Sequence, residues 1–355
     1  MKKERLLTCL LVLLVVSFSG IAQACTTFCL KHEGQWVFGK NLDWMVEKGL
    51  VVVNKRNVAK ASLPDSGAVQ WLAKYGSVTF NMYGRELPQG GMNERGLVIE
   101  NLWLKDTAYP AQDSRPEINC LQWIQYQLDT AATVDDVISS DPQLRITPSD
   151  APLHFLLCDA KGGCATIEFL GGKMVCHSGE SLPVVTLTNS TYDESLAYLK
   201  SHAASEPKEA YCSRENSLGR FCKAALMIED YDAEKNASPV KYAFAALDSV
   251  SNETTQWSVV YEPGAGRIHF RNRSNRDIRN FALKKFDFFC LTPVKVLDML
   301  KGTSGEVSKA FVDYTYELNY DLVSYSFSNT AFLKDTPEET LRAVAAIPDL
   351  TQCVK

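Results

Sequence analysis

An α+β fold, two stacked antiparallel sheets between helical layers, is what the order of elements in this sequence predicts. The first observation is blocking: β-rich runs fill 26–104 and 153–188, helical periodicity fills 118–138 and 192–250, and strands return at 256–286. Alternating βαβ units would mix the two kinds throughout. The second is the turns. Glu33-Gly34, Lys161-Gly162-Gly163 and Pro263-Gly264-Ala265-Gly266 join neighbouring runs too tightly for crossovers, so those runs pair as hairpins. Hydrophobic content of 46% with 22% charged residues is enough for a packed core.

In chain order, Thr26 to Leu30 and Trp36 to Phe38 form a first hairpin, and Leu50 to Val53 and Gly76 to Tyr83 are further strands. Gly90-Gly91-Met92-Asn93-Glu94-Arg95-Gly96 reads as a turn returning into a strand from Leu97 to Leu104. Ile118 to Thr130 places Leu121, Ile124, Gln125 and Leu128 at helical spacing, and Thr133 with Asp136 has the spacing of a capping box opening a short helix. Leu153 to Cys158, Ala165 to Leu170 and Lys173 to His177 form a meander, followed by a buried strand from Val184 to Thr188. Tyr192 to His202, Leu218 to Asp230 and Val240 to Val250 read as helices; Gln256 to Tyr261, Arg267 to Arg271 and Phe281 to Phe286 read as strands. The tail from about 293 is expected to be mainly helical. With no repeat and no low-complexity linker, 25–355 is expected to be one domain.

The first 24 residues read differently. Lys2, Lys3 and Arg5 precede an apolar run from Leu6 to Phe18, then the small-x-small triplet Ala22-Gln23-Ala24. That is a secretory signal with a cleavage site after Ala24, too short to span a bilayer. The mature chain is then expected to be exported, periplasmic or secreted, and to begin at Cys25. A cysteine carrying a free α-amine holds a nucleophile and its base on one residue. The rival reading is a lipid-anchored, non-catalytic lipoprotein or binding module attached through Cys25, but Ala22 and Gln23 fit a lipobox poorly, since it wants a large aliphatic residue and then a small one there.

A formal net charge of −5 without a basic block gives no reason to expect nucleic acid as a partner, and no run after the signal is long enough to span a membrane. Of 11 cysteines, Cys9 leaves with the signal. Cys158/Cys164 and Cys212/Cys222 are close enough to pair locally, while Cys29, Cys120, Cys158 and Cys176 lie in apolar runs as core thiols do; pairing stays open and most are read as buried thiols. No spacing suggests a metal site, and no cofactor is expected. His154, His177 and His269 are strand residues without a partner motif, and no papain-like block surrounds any cysteine. Three sequons, at Asn189, Asn252 and Asn272, carry little weight because such triplets are frequent by chance.

Five ordered blocks carry chemistry: Cys25-Thr26-Thr27-Phe28, Gly39-Lys40-Asn41-Leu42-Asp43-Trp44, Gly91-Met92-Asn93-Glu94-Arg95-Gly96-Leu97, Thr186-Leu187-Thr188-Asn189-Ser190 and Gly219-Arg220-Phe221. In order and spacing, from Cys25 to about Phe286, they resemble the choloylglycine hydrolase family of N-terminal-nucleophile amidases, which includes bile salt hydrolases and penicillin V acylases. The resemblance implies a four-layer αββα sandwich and a hydrolase of linear, non-peptide C–N bonds acting on a small acyl amide. It implies Cys25 as nucleophile, Asp43 binding the α-amine, Asn189 and the backbone N–H of Trp103 in the oxyanion hole, and Arg220 beside the nucleophile. Lys40 stands where the family usually has arginine, keeping the charge without the planar fork. Trp44 and Trp103 fall where penicillin V acylases carry aromatics, which favours an aryl or alkyl acyl group in a pocket between two indoles over a conjugated bile salt. The resemblance also implies homo-oligomers, which no residue of the sequence specifies.

Overall fold

The structure, a computed structural model, describes residues 25–354 apart from 33, 64–67, 149, 204–206, 208–210, 233–234, 236–237 and 302–303. The signal segment 1–24 therefore lies outside the described residues.

Two large sheets form the middle of the molecule. In spatial order the first consists of Thr186–Leu187, Thr26–His32, Gln35–Asp43, Thr255–Glu262, Arg267–Asn272, Arg279–Ala282 and Gly305–Glu306, antiparallel except at the last pair. The second runs Lys173–Ser178, Cys164–Leu170, Leu153–Cys158, Val98–Trp103, Pro88–Asn93, Ser77–Asn81, Leu50–Asn54, Lys295–Asp298 and Val312–Asp313, all antiparallel. The tail thus carries the helices Tyr316–Ser328 and Glu338–Ala345 but first adds two strands to this sheet. The run Val294-Lys295-Val296-Leu297 is β-branched and alternating, which is why it pairs with Leu50–Asn54 instead of coiling.

Period-2 alternation decides which residues face which layer. On the first strand Cys29 points into the core between the sheets, with Phe38, Val51, Val53, Phe80, Met92 and Leu156. Its neighbours Phe28 and Leu30 point the other way, against Ala243, Phe244 and Leu247 of the helix Pro239–Ser249. The second sheet does the same: Phe155, Leu157 and Ile167 face Trp123, Ile124 and Leu128 of the helix Cys120–Thr130. The result is the expected αββα order. Helix starts follow side-chain chemistry: Asn119 accepts from the N–H groups of Leu121 and Gln122, and Thr133 with Asp136 closes a capping box.

Disulfides join Cys158 to Cys164, Cys212 to Cys222 and Cys290 to Cys353. Cys158 is therefore not a core thiol, and fewer cysteines are free than the sequence suggested. Among the described residues Cys25, Cys29, Cys120 and Cys176 remain unpaired, the last only half-buried. The Cys290–Cys353 link spans 63 residues and ties the chain end beside the second sheet, a separation that gives no local signal. Among the described residues no helix is long and apolar enough to cross a membrane.

Sheet packing also explains Gly91. A Cβ there would lie 2.4 Å from the Val78 carbonyl oxygen and 2.9 Å from the Thr79 Cα, both backbone atoms of the adjacent strand. Gly91→Ala is expected to cost about 1–3 kcal/mol through this overpacking. Urea unfolding should show a lower midpoint with an unchanged slope; an unchanged midpoint would mean the strands separate freely there.

Candidate active site

The site begins with a register. Thr26 pairs with Asn41 and Thr27 with Lys40, so the residue before Thr26 arrives beside the residues after Asn41. Cys25 is 3% exposed there. The Asp43 backbone N–H donates to its Sγ at 3.5 Å, and Sγ lies 3.8 Å from the Asp43 carbonyl oxygen. The Asp43 carboxylate is fully buried, with Oδ2 accepting from Asn252 Nδ2 at 3.3 Å. Its Oδ1 has no hydrogen-bond partner among the described residues. Burial pushes the Asp43 carboxyl up to about 6, against the opposing pull of the Thr255 hydroxyl, the charges of Arg220 and Lys40, and the Asn252 amide.

Two cations act on the sulfur. Burial raises the Cys25 thiol; Lys40 pulls it down, the Asp43 carboxylate pushes it up, and the Asp43 N–H and Arg220 lower it. Lys40 is buried between the sheets, where its ammonium donates to the Asn101 carbonyl across the gap. It also faces Glu100, a buried acid that burial raises to about 7 while Lys40 and the Tyr261 hydroxyl oppose the shift. The Tyr261 hydroxyl donates to Glu100 Oε1. A Cβ at Gly90 would come within 2.3 Å of that carboxyl, so the glycine leaves the space it fills.

Asn189 sits on the turn between the strand Thr186–Leu187 and the helix Tyr192–Ala203. Its Nδ2 donates to the Trp103 carbonyl at 2.8 Å, its Oδ1 accepts from Arg220 Nη2 at 3.0 Å, and its backbone N–H donates to Ser217 Oγ at 2.9 Å. Three site residues from three distant parts of the chain are thereby joined. The two indoles also meet: the Trp44 and Trp103 rings lie 6.0 Å apart, and Phe332 packs edge-on to Trp44 at 6.4 Å. Trp44 Nε1 donates to the Tyr83 hydroxyl at 2.6 Å, and that hydroxyl lies 2.9 Å from Thr330 Oγ1. The structure therefore gathers Cys25, Lys40, Asp43, Asn189 and Arg220, with Trp44 and Trp103 against each other alongside.

The model of linear amide C–N hydrolases, choloylglycine hydrolase family, matches residues 25–228, beginning at Cys25. The chain belongs to this family. A penicillin V acylase of Pectobacterium atrosepticum is 24% identical over 335 residues, which is 81% of this chain and 88% of that one. The solved penicillin V acylase of Agrobacterium tumefaciens is 26% identical with a TM-score of 0.71, covering 82% of this chain and 98% of its own. A variant of the conjugated bile acid hydrolase of Clostridium perfringens matches at a TM-score of 0.64 with 18% identity, over 79% of this chain and 98% of its own, a likeness of fold alone. As a choloylglycine hydrolase family member, the chain is a hydrolase of carbon–nitrogen bonds other than peptide bonds in linear amides, on the N-terminal-nucleophile fold.

Sequence reasoning missed several members of the site. Glu100 and Tyr261 stand on apolar strands with no motif around them. Two of the three sequon asparagines turn inward, Asn252 to Asp43 and Asn272 to Arg279, while the third, Asn189, joins Trp103 and Arg220. Among the described residues the one group of metal-type ligands is Cys29, Cys158 and Cys164, and the last two are bonded to each other.

Lys40 is the residue whose charge most lowers the thiol, so Lys40→Met should raise the pH needed to ionise Cys25. Alkylation by iodoacetamide, followed at the Cys25 peptide by mass spectrometry, is expected to slow at neutral pH and recover at higher pH. Lys40→Arg should leave the profile near wild type. Superimposable profiles for Lys40→Met and wild type would show that the ammonium does not act on the sulfur.

Proposed function

We propose that this chain is exported, is cut after Ala24, and hydrolyses N-acyl amides of the penicillin V type with Cys25 as an N-terminal nucleophile. The observation that carries the proposal is the unpartnered Asp43 Oδ1, buried beside a cysteine whose sulfur already accepts the Asp43 N–H. A buried carboxylate oxygen without a donor is costly. The ammonium or amine released by cleavage before Cys25 would supply that donor and at the same time hold a base next to the sulfur.

The chemistry then follows from the geometry. The α-amine takes the thiol proton, and the thiolate sulfur attacks the amide carbonyl carbon. The carbonyl oxygen gains charge in the space offered by the Asn189 amide and the Trp103 backbone N–H, where each donor contributes about 10²–10³ in turnover. Collapse breaks the C–N bond, the leaving nitrogen takes the proton from the α-amine, and an acyl thioester remains on Cys25. Water, deprotonated by the same amine, attacks the thioester and releases the carboxylic acid and the thiol. Arg220 holds the Asn189 carbonyl end and the Trp103 carbonyl takes one amide hydrogen, which leaves the second amide N–H for the oxyanion.

Preference for an aryl or alkyl acyl group rests on Trp44, Trp103 and Phe332, whose rings form one apolar wall. Conjugated bile salts are the alternative substrates. Release of phenoxyacetate from penicillin V, and of amine from fatty-acyl amides, is to be compared with release of glycine or taurine from bile conjugates. The expected result is turnover of the first two, complete loss in Cys25→Ala with the fold retained, and a transient acyl adduct on the Cys25 peptide. Hydrolysis of bile conjugates alone would overturn the substrate class. The intact mass of the exported protein separates the enzyme from the lipoprotein reading: an unmodified chain starting at Cys25 supports the mechanism, and a diacylglyceryl adduct on Cys25 ends it.

A further inference from the structure

We infer that His154 is a positioning residue for the oxyanion hole, and that with Glu168 it clamps both ends of the turn carrying Asn189. His154 lies on the strand Leu153–Cys158 and Glu168 on Cys164–Leu170. Continuing the register that pairs Phe155 with Ile167 sets them opposite each other, on the face turned toward the first sheet. Both are fully buried.

From there the pair reaches across to the turn. His154 Nε2 lies 2.7 Å from the Thr188 carbonyl oxygen, immediately before Asn189. The Glu168 carboxylate accepts the Tyr192 N–H at 3.0 Å and 3.2 Å, at the start of the helix Tyr192–Ala203. His154 Nδ1 and Glu168 Oε1 close the clamp at 3.0 Å. The Thr188 carbonyl can only accept, so Nε2 carries the proton of that bond, while Nδ1 and Glu168 share the other hydrogen bond of the clamp. Thr188 directly follows the end strand Thr186–Leu187 of the first sheet, while His154 and Glu168 belong to the second. The clamp thus fixes the distance between the sheets where the Asn189 amide must meet Trp103.

A buried polar pair of this kind is weak as a source of stability, because desolvation offsets most of the attraction and an apolar replacement often does as well. What an apolar replacement could not do is hold the Thr188 carbonyl in place. The inference rests on the proposed role of Asn189, and a double-mutant cycle separates the two. His154→Leu should lower kcat about 10- to 100-fold with KM within about twofold, as expected for a misplaced oxyanion donor. His154→Gln, whose amide nitrogen can still donate to the Thr188 carbonyl, should recover most of that loss. In the Asn189→Ala background His154→Leu should cost nothing further, because the residue it positions is gone. Equal loss in both backgrounds, a loss in KM alone, or no loss would overturn the inference. An Asn189→Ala enzyme with wild-type kcat would instead overturn the oxyanion assignment itself. Should His154→Leu fail to fold, nitrogen-15 NMR of the wild-type ring decides. A protonated Nε2 at neutral pH supports the clamp, and a bare Nε2 removes it.

Discussion

The first hairpin is the constraint on which the site depends. Thr26 opposite Asn41 is a local pairing, yet it brings residue 25 to the side of residue 43 with no freedom left over. A slip of one residue would turn Phe28 and Leu30 into the core between the sheets and Cys29 out toward the helix Pro239–Ser249. Burial of alternating residues on both faces therefore fixes the register, and the register fixes the distance from sulfur to aspartate. Hydrophobic packing thereby sets where the sulfur and the carboxylate stand.

Once placed, the sulfur and the carboxylate are both in the wrong electrostatic setting. Burial penalises each charged form, and two anions side by side penalise each other. Lys40 and Arg220 answer this from opposite directions, Lys40 reaching across from the first sheet to the second and Arg220 arriving on the helix Ser217–Glu229. A lysine cannot donate in a planar fork. Its ammonium here has a carbonyl, that of Asn101, and a nearby acid, Glu100, so its orientation is set by the second sheet. The lysine is thus one member of a Lys40, Glu100 and Tyr261 cluster that spans the gap, built with residues that have no motif of their own.

What the sequence made legible were features with a local period or a compact motif. The hairpins, the meander and the capped helix at Thr133 follow from alternation, glycine turns and side-chain caps within a few residues. The site blocks were legible because each lies within a short stretch of chain. What stayed hidden depends on distant partners. Cys290 and Cys353 give no spacing cue, Glu100 and Tyr261 look like ordinary polar interruptions of apolar strands, and the sequon at Asn252 hides an asparagine that serves Asp43. His154 shows the same limit. A histidine on a strand has no partner in the sequence, and only the pairing of two strands and a turn some thirty residues on supplies both of its hydrogen-bond partners.

The aromatic cluster of Trp44, Trp103 and Phe332 extends this logic to the tail. Trp44 and Trp103 lie within the segment 25–228 that defines the family, but Phe332 and Thr330 come from the tail. The link runs from Trp44 through the Tyr83 hydroxyl to Thr330, at the end of the helix Tyr316–Ser328. That helix is seated on the second sheet by Leu322 against Leu50, Val52 and Val296, and the strand bearing Val296 is itself part of the tail. The tail therefore builds its own footing on the sheet before presenting Phe332 to the indoles. Cys25 with Asp43 and the aromatic cluster consequently answer to different parts of the chain: the register of the first hairpin sets the former, and the packing of the last sixty or so residues sets much of the latter.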